Sequence, residues 1–184
     1  VDQLQDDFSG DVATFEVLEA GENEELNFSL GSNNPDATDI VVDETSRTND
    51  VTIMEYTIEA EDNDIELNNL FVNIVTTGAD YADVVSDIEL VIDGQVFRDE
   101  AVVSTGAYSA TSVRVEFDID GDIVIDEDDE VEVEVVVDFK AQQSNYDNGD
   151  QIKAQVTSVE RDLTDAEGAD DVTEFSGTAT GETH

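Results

Sequence analysis

The 184 residues carry 49 Asp and Glu against 6 Lys and Arg, a net charge of −43, with no cysteine and a single histidine at the last position. This excludes disulfides, thiolate catalysis, zinc–thiolate sites and serine or cysteine triads. It also disfavours binding to nucleic acid or to an anionic membrane, since both reward a basic patch and the six cations are scattered.

In chain order, residues 1–10 read as a linker or an exchangeable N-terminal arm, and residues 11–184 as one β-sandwich domain. Leu26, Phe28 and Leu30 share one face of a first strand, and Met54, Tyr56 and Ile58 one face of a second. The stretch 65–75 is apolar on both faces (Leu70, Phe71, Val72, Ile74, Val75), which predicts a central strand. Residues 84–92 form another, and the Asp93-Gly94 dipeptide after them predicts a hairpin turn. Val113, Val115, Phe117 and Ile119 alternate up to a second such dipeptide, Asp120-Gly121. The segment 131–139 places Val131, Val133, Val135, Val137 and Phe139 inward, with Glu132, Glu134 and Asp138 mostly outward. Ile152, Ala154 and Val156 close the series, and 162–171 has room for one helical turn. About ten short strands at regular spacing predict an all-β fold, an antiparallel β-sandwich. At this size a compact fold buries roughly 70% of the unfolded surface, so a core forms without covalent staples.

No pattern supports catalysis: there is no phosphate-binding glycine loop, and carboxylate pairs are too numerous to single one out. The strongest metal candidate is Asp118, Asp120, Asp122 and Asp129, which follow the spacing of a Ca²⁺ loop at its first, third, fifth and twelfth positions. Gly121 stands fourth, however, where that loop needs its glycine sixth, and Ile123 occupies the sixth place. A charged Asp-Gly hairpin with outward carboxylates is the competing reading. Further acidic loops lie at Glu59, Glu61, Asp62 and Asp64, and at Asp162, Asp165, Glu167, Asp170 and Asp171.

The segments 50–66, 87–94 (Asp-Ile-Glu-Leu-Val-Ile-Asp-Gly), 123–139, 146–156 and 176–184 (Ser-Gly-Thr-Ala-Thr-Gly-Glu-Thr-His) follow one another in an order that resembles the serial Ig-like β-sandwich domains of long secreted bacterial cell-surface proteins. The resemblance covers roughly residues 40–184 and consists of strand-and-turn patterns. It implies an Ig-like fold, an extracellular cell-surface location and a structural, lattice-forming or adhesive role, with no catalytic residues. Its partners would be copies of itself or neighbouring β-sandwich domains. The extreme acidity departs from that pattern and points to a saline or calcium-rich setting. Two other classes compete. A calcium-dependent adhesin or carbohydrate-binding module would cluster exposed aromatics, with Tyr81, Tyr108 and Tyr146 as candidates, beside an acidic loop. A nucleic-acid mimic would line carboxylates along one face.

Overall fold

Alternating valine and carboxylate along the chain leaves one solution for burial: strands whose apolar faces meet across a shared core. The computed structural model describes residues 23–184; the expected arm at 1–10 and the start of the domain lie outside them. The strands are β1 (Glu25–Leu30), β2 (Thr48–Glu61), β3 (Ile65–Thr77), β4 (Val85–Ile92), β5 (Gln95–Val103), β6 (Ser112–Ile125), β7 (Glu130–Phe139), β8 (Gln151–Val156), β9 (Asp165–Glu167), β10 (Glu174–Gly177) and β11 (Ala179–Thr180). Two helical turns accompany them, α1 (Tyr81–Val84) and α2 (Ser158–Arg161). The fold is all-β and sandwich-like, as the periodicity predicts.

Along the hydrogen-bonded path the order is β10-β1-β2-β7-β4-β5-β6-β3-β8-β11, with β9 also on β3. Among the described residues, two segments join the hydrogen-bonded ladders of the two layers at their margins. β5 pairs with β4 through Gln95–Arg98 and then with β6 through Asp99–Val103. At the opposite margin β10 lies on β1 and β11 on β8, with Gly177 at the crossing. Contrary to a wholly antiparallel arrangement, β10 runs parallel to β1, because the chain returns to the first described strand from the far layer.

The core is aliphatic, with Ile53, Val72, Leu90, Val115, Val135 and Ala154 among its fully or almost fully buried members. β3 is central, with β6 on one flank and β8 and β9 on the other. Phe28 and Tyr56 stack at 6.4 Å between ring centroids.

The two Asp-Gly dipeptides part company. Asp93-Gly94 is the expected tight turn, joining the pair Ile92↔Gln95 with both residues at positive φ (47° and 76°). Asp120-Gly121 also has positive φ (51° and 74°) but makes no hairpin, and this corrects the sequence expectation: β6 runs through it. Opposite it, β3 advances only from Leu67 to Asn69 while β6 spans Ile123 to Asp118. The dipeptide is therefore a large bulge that kinks β6, consistent with the extra twist bulges impose. The helical turn expected within 162–171 lies earlier, at α2, where Thr157 and Glu160 form a capping box.

Candidate functional site

The acidic loops that lie far apart in sequence meet at one end of the sandwich. Glu24, immediately before β1, is 4% exposed. Its Oε1 accepts from Asn63 Nδ2 at 2.6 Å and from the Ala169 amide at 2.7 Å, which ties the β2–β3 loop to the loop after β9. Burial resists its ionisation, but the bonds from Ala169, Asn63 and the Asp170 amide outweigh it and hold the carboxyl below its ordinary value. Its Oε2 is buried without a partner. The β6–β7 turn joins the same end: the Glu127 amide donates to Asp64 Oδ1 at 2.8 Å, and Asp128 and Asp129 exchange backbone bonds with Ala60.

Around this end like charges face one another. Glu25 stands opposite both Glu61 and Glu174, Glu59 opposite Glu130, and Glu66 opposite Glu167. Further along, Glu55 faces Glu134 and Asp87 faces Asp138. Glu61 is pushed above the ordinary range by partial desolvation and by Glu25, Glu59, Asp62 and Asp128. Directly opposed like charges destabilise a sheet. The Glu55–Glu134 pair is relieved by neutral donors, since Thr52 bonds Glu134 at 3.1 Å and the Asn33 amide bonds Glu55 at 3.1 Å, while Arg47 pairs with Asp87 at 2.8 Å.

Beside the β6–β7 turn an open groove of about 750 Å³ separates the two layers. Its rim is the Asp93-Gly94 turn, the end of β6 and the start of β7. Of the four residues expected to bind Ca²⁺, Asp122 and Asp129 line this groove, while Asp118 and Asp120 lie on the exposed face of β6 outside it. Among the described residues no three Asp, Glu or His side chains gather into a ready-made metal cage.

The tyrosines considered as ligand platforms are occupied structurally. Tyr108 donates to Glu160 at 2.8 Å and covers Arg114, whose guanidinium also lies over Phe71. Burial and Glu160 push the Tyr108 phenol up to about 12. Tyr146 donates to the Lys140 carbonyl, and Tyr81 packs against the core. Sequence reasoning missed Glu24, which a lone acidic residue before an amphipathic strand does not distinguish from its neighbours. It also missed the groove, which arises only where the strand pairings stop.

No protein-family model matches the sequence, and no curated protein is similar to it. Among solved structures, the full-length RrgB pilus protein of Streptococcus pneumoniae is similar over 72% of this chain and 22% of its own, at 14% identity and a TM-score of 0.30. A structure of the RrgB pilus backbone from the same organism matches 78% of this chain and 52% of its own, at 13% identity and a TM-score of 0.32. A structure titled for manganese lipoxygenase of Gaeumannomyces graminis and part of zonadhesin of Komagataella pastoris matches 79% and 50%, at 9% identity and a TM-score of 0.27. The chain thus spans between about a fifth and a half of the length of these proteins. At such scores the likeness carries no argument about function. No helix among the described residues is long and apolar enough to cross a membrane.

Proposed function

We propose that this chain is a non-enzymatic, extracellular structural module, a building unit of a cell-surface layer or filament. The observation that carries the reading is the long, stiff body that the paired strands form. Glu24 is fastened to the β2–β3 loop at the acidic end. His184 exchanges backbone bonds with Ile152, which pairs with Thr76 near the far end of β3. Residues 24 and 184 therefore lie at opposite ends of a stiff two-layer body. β2, at 14 residues, spans roughly 45 Å at the usual strand rise. A stiff two-layer body of this length suits a spacer or a lattice element.

Copies of this chain repel one another through their carboxylates, so assembly needs cations, and Ca²⁺ is the cation we propose. Purified protein is to be followed by light scattering and electron microscopy in low salt, in molar KCl, and in low salt with millimolar CaCl₂. Ordered sheets or filaments on calcium addition support the reading. A protein that stays monomeric in all three conditions sinks it. A calcium-dependent adhesin is the second reading, favoured by Asp122 and Asp129 sharing one groove. It predicts one calcium-linked rise in melting temperature, lost in Asp122→Asn with Asp129→Asn, without assembly.

A further inference from the structure

The groove beside the β6–β7 turn is a place where the wall of the sandwich stops being paired. On the β5 side, the ladder along β6 ends at Asp99↔Phe117. From Asp118 to Ile125, β6 is paired only with β3, so among the described residues its other edge has no strand beside it. The facing edge of β7 is likewise unpaired from Glu130 to Glu132, because β4 reaches only as far as Ile92↔Val133. The Asp122 carbonyl accepts a long contact of 3.5 Å from the Gln95 side-chain amide, on the side away from β3. Val124, two residues on, is 54% exposed on the outer face, between the buried Ile123 and Ile125. Unpaired strand edges are templates for a further strand.

The groove also determines what kind of strand it admits. Its polar lining is acidic, with Asp93, Asp122, Asp126 and Asp129 at the rim, and no Lys or Arg lines it. A second copy of this chain, at −43, is repelled there. Residues 1–22 contain no Lys or Arg, so that segment supplies no basic occupant either. Charge on an exposed edge blocks indiscriminate pairing, and acidic charge leaves the edge open to a cationic partner alone. From this geometry we infer that the groove is a docking site for an extended, lysine- or arginine-bearing segment of another protein, which adds a strand to the free edge of β6 around Asp122–Val124. Main-chain bonds supply the pairing. Residues two apart share a face, so apolar side chains on one face meet Val131 on the core side, while the basic ones between them reach Asp122, Glu132 and Glu134 on the outer face. This partner is distinct from the copies that the lattice reading requires, and the inference does not depend on that reading.

The test separates strand pairing from bulk charge attraction. A short peptide of alternating lysine and valine is titrated into the full chain at physiological salt. So is the same peptide with alternate backbone nitrogens methylated, which keeps every charge and removes the donors. Strand addition predicts at least about tenfold weaker binding of the methylated peptide, with slowed amide exchange and shifted resonances confined to 118–125 and 130–132. It also predicts that Asp122→Lys weakens binding of the parent peptide while Asp147→Lys, the same charge change on the exposed β7–β8 loop at the opposite end of the sandwich, does not. Equal binding of the two peptides, or equal effects of the two variants, would overturn it. Both variants alter exposed side chains, and circular dichroism confirms their fold beforehand.

Discussion

Tyr56 carries its hydroxyl into the middle of the core, where the ring stacks on Phe28 and the oxygen finds no partner. Burial alone pushes its phenol far above the ordinary range. A buried polar group without a bond costs about 1–3 kcal/mol, whereas the ring's apolar burial is retained by phenylalanine. Tyr56→Phe is therefore expected to stabilise the domain, by up to about 1 kcal/mol, or a rise of about 2–4 °C in the melting midpoint. A lower midpoint would mean that the hydroxyl has a partner. Glu24 is the opposite case, a buried carboxylate that is bonded as the anion. Its carboxyl sits below the ordinary 4.5, so the stability it supplies is fully present above that value and is lost as pH falls through its own lower one. Glu24→Gln should lower the midpoint at neutral pH, and the deficit should shrink as the solution is acidified. Calorimetry of both proteins across that range checks it. Gly168 packs so closely on Glu24 that a Cβ there would collide with both carboxylate oxygens, which leaves glycine as the residue that fits.

At the scale of elements, the segment from Glu174 to Thr180 holds the two layers together at one margin, and Gly177 is its pivot. Gly177 has φ +68°, and a side chain there would strike the Phe28 carbonyl, which is backbone and has little room to move. Gly177→Ala should cost about 2–4 kcal/mol from left-handed strain plus overpacking. The loss should concentrate in β1 and β10, so amide exchange at Glu25–Phe28 should accelerate before that of β3. Uniform acceleration across the sheet would place the pivot elsewhere. The long strands were legible in the sequence because their alternation is driven by the core itself: β7, β8 and the doubly apolar β3 fall where Val135, Ala154 and Val72 demand. β10 and β11 were not legible, since Phe175 and Ala179 in a run of Ser, Thr and Gly give too few apolar positions to fix a period. The role of Asp120-Gly121 was misread for a related reason. The dipeptide specifies two left-handed residues, and whether the chain then reverses or bulges depends on what lies across the sheet. Here Glu66 lies against Gly121, and β3 continues past the bulge. Of the expected calcium set, spacing brought Asp122 and Asp129 to one groove, but the bulge separates them from Asp118 and Asp120.

For the whole molecule, electrostatics oppose the fold that burial produces. Two ion pairs, Arg47–Asp87 and Arg161–Asp162, are present among the described residues, both with an exposed carboxylate, and such pairs contribute little. Against them stand the opposed carboxylates of the acidic end and of the face that β2 and β7 share. Screening changes this balance steeply, since the Debye length falls from about 30 Å at 0.01 M salt to about 3 Å at 1 M. Raising KCl from the lower to the higher concentration should therefore raise the melting midpoint by about 10 °C or more, most of it gained by a few tenths molar. Acid should act in the same direction at first. Glu61 and Asp99 have carboxyls raised in the folded state, Glu61 by burial and its acidic neighbours, and Asp99 by burial with a smaller push from Asp87. Their protonation favours the fold, so their contribution appears as pH falls through the raised values and is lost as pH rises through them. Glu24 and Asp43, whose carboxyls are lowered, act in reverse below the ordinary carboxylate range. At low salt the midpoint should thus climb from pH 7 toward about 5 and then fall as the bonded carboxylates protonate. In molar KCl the climb should flatten while the acid fall persists, because salt screens repulsion between exposed charges but leaves the short hydrogen bonds of Glu24 intact. A midpoint independent of salt at pH 7 would show that the opposed carboxylates are already neutralised, by bound cations or by shared protons, and a titration of proton uptake on unfolding would tell the two apart.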